Sequence, residues 1–337
     1  AVRSLKERDL RICGSVGMQT WELITASAAL EAVPLRCYLL TSNQPAASRE
    51  SEILRDFGLK PESVEFVYLD EPNNGKSELA MAARDRMVVD ASDMLLPISI
   101  RPSGHMADLL ERGISQRKEI VSEFQLSAME RPHGIAYSLD FEKLNPTIDE
   151  ISGKYLIHWT RATNSRWPDE RSIDYYSAII NSLSYPRTGL DTLCRILDTM
   201  RLIGSARHMP QKMKTVAFSS LSPREVVPLM RYRARYGEMS FEPYGIGIAK
   251  ELAPSLDLLP VIYYSEKRTS GESGEAPWRF QSMGIKTDWR EEQEYRHAGD
   301  LPLGSIPRDA LHLFCRFPDE AERLQQRYGI QATSLGK

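Results

Sequence analysis

Within the first 125 residues, short apolar runs and longer amphipathic stretches take turns, and that alternation limits the chain to few architectures. Residues 10–17 (Leu-Arg-Ile-Cys-Gly-Ser-Val-Gly) read as a strand closing in a Gly/Ser turn, and about 19–32 as a helix. The pattern repeats with strand 35–40, helix about 47–57, strand 63–69, helix 77–90 and an uncharged strand 94–100. Strands separated by helices pair in parallel, so this half is expected to be α/β, a parallel sheet with helices on both faces.

The chain has 337 residues, about twice a typical domain, which fits two domains or one large one. A hydrophobic content of 42% with 26% charged residues excludes a disordered or collagen-like chain. The net charge of −3 conceals a split: residues 1–150 carry 17 Lys+Arg against 24 Asp+Glu, residues 151–337 carry 26 against 22. The second half therefore tolerates an anionic ligand better. No run approaches the roughly 18–20 apolar residues of a membrane span, and the opening nine residues lack a secretory apolar region, so the expectation is cytoplasmic with no membrane partner. Cys13, Cys37, Cys194 and Cys315 stand far apart without a C-x-x-C. They read as structural thiols, and no metal is expected.

The segment 84–105 carries the most chemistry in the first half. An Arg84-x-Arg86 pair on a helix precedes the uncharged strand, whose carboxyl end delivers Ser99, Arg101 and a Pro102-Ser103-Gly104 turn into the next helix. Ligands of open α/β sheets bind outside such carboxyl ends, where helix N-terminal amides hold phosphates. Gly14 and Ser15 face the same edge from the first strand.

This arrangement resembles the SLOG superfamily of Rossmann-like domains, which includes the DNA-processing A proteins and the cytokinin-activating phosphoribohydrolases. The resemblance covers about residues 10–125 and rests on the Cys13-Gly14-Ser15 turn and the block from Arg84 to Gly104. It implies binding of a nucleotide, an NAD-derived signal or DNA, with Gly14, Ser15, Arg86, Ser99, Arg101, Ser103 and Gly104 as ligand contacts. The chain departs from the phosphoribohydrolase motif Pro-Gly-Gly-x-Gly-Thr-x-x-Glu: Ser103 replaces one Gly, Met106 and Ala107 replace Gly-Thr, and Glu111 sits one place late. Sensing or binding is expected there rather than hydrolysis.

Residues 131–153, with Arg131-Pro132-His133-Gly134, Asn145-Pro146 and Ser152-Gly153, read as a boundary that divides the chain into 1–150 and 151–337. The second part is expected to be α+β. Its first strand, 155–161, points Tyr155, Ile157 and Trp159 one way and Leu156, His158 and Thr160 the other. Two helices follow, the second closed by Gly204, then a strand at 216–219. Ser222-Pro223-Arg224-Glu225 is a capping box opening a helix expected to reach Tyr236, with Arg231 and Arg235 on one face, and to stop at Gly237. Strands at 242–248 and 259–264 bracket a short helix, and a loop spans 270–276. In the acidic run 288–296, strand alternation puts Glu292, Glu294 and Arg296 on one face. Two same-facing carboxylates repel unless a cation lies between them, so the pair is exposed or functional.

The order of these pieces is similar to a family of uncharacterised bacterial proteins found among phage-defence genes, across about residues 154–305. The matching motifs are His158-Trp159-Thr160, Leu202-Ile203-Gly204, Val216-Ala217-Phe218-Ser219, Tyr244-Gly245-Ile246-Gly247, Pro260-Val261-Ile262-Tyr263 and Glu292-Gln293-Glu294-Tyr295-Arg296. The series His, Tyr, Glu on successive strands also resembles the ADP-ribosyltransferase constellation. That resemblance implies NAD as substrate or ligand, with His158 on the ribose, Tyr244 stacked on nicotinamide and Glu294 stabilising the oxocarbenium ion. Thr160 and Ser219 become ligand contacts, and Glu292 an orienting partner.

The combined expectation is a protein that binds a nucleotide or NAD-derived molecule in its first half and cleaves NAD, or transfers ADP-ribose to a protein or nucleic-acid acceptor, in its second. A homo-oligomer is compatible with this reading. Two alternatives stay open at this point. One is an N-glycosidase or transferase acting on a nucleotide through the first half; the other is a single-stranded nucleic-acid binding protein, which needs a basic groove with aromatic platforms.

Overall fold

The structure, a computed structural model, describes residues 1–337 except 7, 18–19, 42–44, 70–76, 128–138, 164, 183–186, 207–208, 210–211, 234–237, 265–275 and 284–287. The linker motif Arg131-Pro132-His133-Gly134, Arg235, the stop at Gly237 and all but the last residue of the 270–276 loop lie outside the described residues.

The first 125 residues form β1 (Ile12–Ser15), α1 (Trp21–Glu31), β2 (Leu35–Leu40), α2 (Ala46–Phe57), β3 (Val64–Leu69), α3 (Ser77–Asp90), β4 (Met94–Leu95), α4 (His105–Ser115) and β5 (Glu119–Ile120). β1, β2 and β3 make a parallel three-stranded sheet in that order, and β4 pairs in parallel with β5. The expected strand over 94–100 shortens to two residues. Pro97 has no N–H to give a ladder, so the apolar run continues beyond β4 without pairing.

Next come α5 (Thr147–Glu150), β6 (Tyr155–Trp159), α6 (Ser172–Asn181), α7 (Gly189–Thr199), β7 (Arg201–Leu202), β8 (Thr215–Ser219), α8 (Pro223–Val226), β9 (Tyr232–Arg233) and β10 (Glu238–Met239). β11 (Gly245–Ala249), β12 (Leu259–Pro260), β13 (Ile262–Tyr264), β14 (Phe280–Ser282), β15 (Glu294–Ala298), β16 (Leu301–Pro302), β17 (Leu311–Cys315), α9 (Pro318–Tyr328) and β18 (Ala332–Ser334) complete the chain.

The chain forms two compact units, one from residues 1–132 and 166–185, the other from 133–165 and 186–337. The expected division at 150 differs from this because α6 returns to the first unit. Its Ile173 and Tyr176 pack on the core of Ala26, Ala28, Leu35, Leu39 and Phe57. Asp56 of α2 then serves as its cap from outside: Ser172 donates N–H at 3.0 Å and Oγ–H at 2.6 Å to the carboxylate, and Arg166 Nη1 reaches both oxygens at 2.9 and 2.8 Å.

The second unit is built on a seven-stranded sheet in the order β12-β15-β8-β6-β11-β17-β18, antiparallel except for the β17–β18 pair. Both faces are buried. Leu156, Phe218, Ile246 and Leu313 join Leu193 and Leu197 of α7 on one side. Ile157, Trp159 and Phe314 meet Leu221, Val226 and Leu335 on the other. The alternation read in 155–160 is therefore the alternation of two cores, not of core and solvent.

Two helix ends differ from expectation. The capping box of Ser222 and Glu225 forms, yet α8 stops at Val226 and a single 3-10 turn, Val227–Leu229, follows. Pro228 explains this, because its ring clashes with the carbonyl four residues back. α7 ends on Met200 in the left-handed region (φ 47°) and not at Gly204. Gly204 instead permits a close backbone approach. A Cβ there would stand 2.4 Å from the Gly299 carbonyl oxygen, which only glycine avoids.

Replacing Asp56 by alanine removes the cap and the ion pair of α6 together. Urea unfolding of Asp56→Ala is expected to show a loss of about 1–2 kcal/mol, the scale of a lost helix cap. An unchanged midpoint would mean that α6 is held by its apolar face alone.

Candidate functional site

At the carboxyl end of β1, Gly14 and Ser15 have different surroundings. Gly14 pairs with Cys37 and has open space where a Cβ would stand. Ser15 is fully buried, and its Oγ donates to Asp85 Oδ1 at 2.7 Å. Buried Arg84 donates Nε (3.1 Å) and Nη2 (2.9 Å) to the same oxygen, and Nη1 to the Val16 carbonyl. Ser15, Asp85 and Arg84 thus form a closed network that pins the turn after β1, and both the hydroxyl and the Arg84 charge are used inside the protein. Gly17 sits at φ 96° with room for a Cβ only 3.3 Å from Arg84 Nη1. Arg86, Ser99, Arg101, Ser103 and Gly104 are all exposed, and neither Arg86 nor Arg101 makes an ion pair with another described residue. Ser103 takes the left-handed region (φ 59°), and Gly104 is the N-cap of α4 without a side-chain cap.

The second unit brings Glu292 and Glu294 together, though not by strand alternation. Glu292 ends a 3-10 turn (Trp289–Glu292), Gln293 turns the chain through φ 44°, and Glu294 opens β15. Each carboxylate has its own guanidinium. Arg233 Nη2 donates to Glu292 Oε1 at 2.7 Å, while its guanidinium carbon lies 4.5 Å over the Trp289 ring. Arg296 forks onto Glu294, with Nε to Oε1 at 2.7 Å and Nη2 to Oε2 at 2.9 Å. Its remaining donors reach the Trp278 carbonyl (2.9 Å) and Gln281 Oε1 (2.8 Å). Tyr263 borders the same group, accepting from the Glu294 N–H at 3.4 Å.

The environments of the two acids differ. Burial pushes the Glu292 carboxyl above the usual carboxylate range, with the Arg233 hydrogen bond opposing it and the nearby Glu294 charge adding to it. Glu294 is held by a two-point fork, which fixes its orientation. Arg233, Tyr263, Gln281 and Trp289 were not singled out from the sequence as site residues. Tyr263 carried a signal inside the Pro260-Val261-Ile262-Tyr263 motif; the other three did not.

The expected trio of His158, Tyr244 and Glu294 is not assembled. Strand register decides this. Glu294 lies opposite Ser219, Ser219 opposite Ile157, Ile157 opposite Gly247 and Gly247 opposite His312, so these residues share one face of the sheet. His158 pairs with Ile246 and belongs to the other face, where its ring meets Phe218 at 5.8 Å. Its Nδ1 lies 2.8 Å from the Ala217 carbonyl, and burial pulls its pKa below the ordinary histidine value.

Tyr244 is 6% exposed within the same core, and its hydroxyl donates to Glu320 Oε1 at 3.1 Å. Thr160 Oγ1 donates to the Gly189 carbonyl at 2.7 Å, and Ser219 Oγ to the Glu292 carbonyl at 2.7 Å. These three side chains hold the fold. Buried Glu242 is a further such residue: its carboxylate accepts from Ala162 N (2.8 Å) and from Gly189 N (3.2 Å) at the start of α7.

The chain matches no family model, no curated protein and no solved structure. Among the described residues no helix is long and apolar enough to cross a membrane, and no group of three His, Cys, Asp or Glu side chains could hold a metal ion.

His312 gives a pH test of the face that carries Glu294. It is buried between the Tyr155 and Phe314 rings, each centroid 5.1 Å away, and Nε2 meets Thr333 Oγ1 at 2.8 Å. Nδ1 has no partner among the described residues. Burial, with Lys154 adding to it, pulls its pKa down to about 4. The unfolded chain, with an ordinary value of about 6.5, then binds the proton first, so stability falls as pH drops from about 6.5 to about 4. Urea unfolding across that window should give a steeper loss for the wild type than for His312→Gln; parallel curves would mean that His312 does not report on this core.

Proposed function

We propose that the second unit breaks the N-glycosidic bond of NAD at the Glu292/Glu294 pair, releasing nicotinamide and passing ADP-ribose to water or to a protein or nucleic-acid acceptor. On the same reading, the first unit holds a nucleotide or NAD-derived ligand at its exposed Arg86/Arg101 edge. The observation that carries the proposal is the pair of adjacent carboxylates in unlike environments, each tied to a guanidinium beside Tyr263. Two acids whose surroundings differ in this way can divide an electrostatic and a proton-transfer role.

In the reaction, the C1′–N bond breaks with its electron pair leaving on nicotinamide, and positive charge builds on the ribosyl ring. Glu294, fixed by Arg296, is the anion that stabilises that charge. Water or another nucleophile then bonds C1′ and gives its proton to Glu292, whose carboxyl burial pushes above the usual carboxylate range. His158 and Tyr244 take no part.

The first unit's reading is supported by exposed arginines and Ser103 leading into the α4 N-terminus, where backbone amides favour an anion. The closed Ser15, Asp85 and Arg84 network fits a supporting role for that edge.

Nicotinamide release from NAD, followed chromatographically with and without cell extract, tests the reaction. Glu294→Gln should lower turnover by roughly 100-fold or more, the scale of a lost electrostatic group in a preorganised site. His158→Asn should stay within about tenfold of wild type, since it removes no site contact. Wild-type protein that releases no nicotinamide under either condition ends the catalytic reading. For the first unit, Arg101→Ala should weaken AMP binding measured by calorimetry about tenfold, as expected for one charge-assisted contact; equal affinity would remove Arg101 from the site.

A further inference from the structure

Tyr263 is placed unlike three other tyrosines of the chain. Tyr176 donates to Glu22 Oε2 at 3.0 Å, Tyr244 to Glu320 Oε1 at 3.1 Å and Tyr328 to Asp198 Oδ1 at 2.9 Å. Each of those protons is spent on a carboxylate. Tyr263 Oη instead accepts, from the Glu294 N–H at 3.4 Å, and its own proton meets no acceptor among the described residues. The side chain is also well supported. β13 pairs in parallel with β14, with Tyr263 opposite Gln281, and Gln281 is bonded to Arg296, which forks onto Glu294. Burial pushes the phenol up to about 12, so the group stays a donor over the working pH range.

We infer that Tyr263 is the hydroxyl donor of the Glu292/Glu294 site and that it bonds a sugar hydroxyl of the ligand; this rests on reading that site as the ribosyl-binding one. The chemistry around Tyr263 selects the ligand group. A phosphate or carboxylate would accept the phenol proton but meets two glutamates of its own sign. An ammonium would suit the glutamates but cannot accept. A hydroxyl does both, accepting from Tyr263 while donating to a carboxylate, and it is neutral, so the two ion pairs keep their balance. The Tyr263 side chain thereby sets specificity for an oxygen on the sugar, and Tyr244 has no share in it.

Calorimetry on the full chain with nicotinamide riboside tests this, because a phosphate-free probe makes no demand on an anion site. Tyr263→Phe should bind about fivefold more weakly, the effect of one hydrogen bond, with a melting temperature within roughly 2 °C of wild type. Tyr244→Phe should melt lower and bind within about twofold, since it loses only a core bond. The wild type should show the same fivefold or so loss with the 2′-deoxy or the 3′-deoxy riboside, a comparison that needs no variant. Four results overturn the inference: no riboside binding by the wild type, equal affinity for nicotinamide alone, unchanged binding by Tyr263→Phe, or unchanged binding of both deoxy probes. Unchanged riboside binding by Tyr263→Phe, with NAD turnover retained, overturns it and leaves the catalytic reading standing. Binding that depends on Tyr263 without any NAD turnover supports it and removes the catalytic reading.

Discussion

A guanidinium that is 4% exposed has to find a partner for its charge and its N–H groups inside the protein, and Arg296 does so through four hydrogen bonds. The arrangement of its surroundings follows from that demand. Glu294 supplies the opposite charge from two residues away on the same strand face, so the pair forms locally. The other two bonds reach Trp278 and Gln281, which brings the β13–β14 pair onto β15. Leaving any of these donors unmet in a dry setting would cost on the order of 1–3 kcal/mol. Arg296 thereby adds a side-chain tie between Glu294 and the β13–β14 pair to the backbone pairing of β12 with β15.

Much of this fold can be read directly from residue spacing, and the remainder depends on pairings that spacing does not encode. The β1–β3 run and the two-faced strand at 155–159 follow from apolar periodicity. The Ser222 to Glu225 box follows from side chains that satisfy helix-end amides. Proline gave its warning at 97 and 228, and in both places the long apolar or helical pattern around it argued the other way. The division of the chain could not be inferred from punctuation, because α6 is claimed by apolar residues and by Asp56, more than a hundred positions earlier.

The candidate site shows the same limit more sharply. Glu292 and Glu294 stand out as acids two residues apart, and their closeness is real, but it comes from a left-handed turn at Gln293 and not from strand parity. His158 and Glu294 sit on opposite faces because one intervening strand, β8, fixes their parity through the Ser219 to Ile157 pairing. A shift of one residue in that register would reverse the result. Arg233 and Gln281 are each ordinary in their local sequence and join Tyr263 in one group only through long-range contacts.

Neither compact unit is a continuous stretch of chain. The first opens at residue 1, is left for β6, and is rejoined for α6 before the remaining strands of the large sheet exist. During synthesis Asp56 therefore waits 116 residues for Ser172, and β6 emerges before any strand it pairs with. Closing a loop of that length costs little more entropy than closing a short one, so the delay is one of order and not of stability. The two units are consequently inseparable as inherited pieces: a recombination event at any single junction would strand either a helix or a central strand, and the pair must be passed on together.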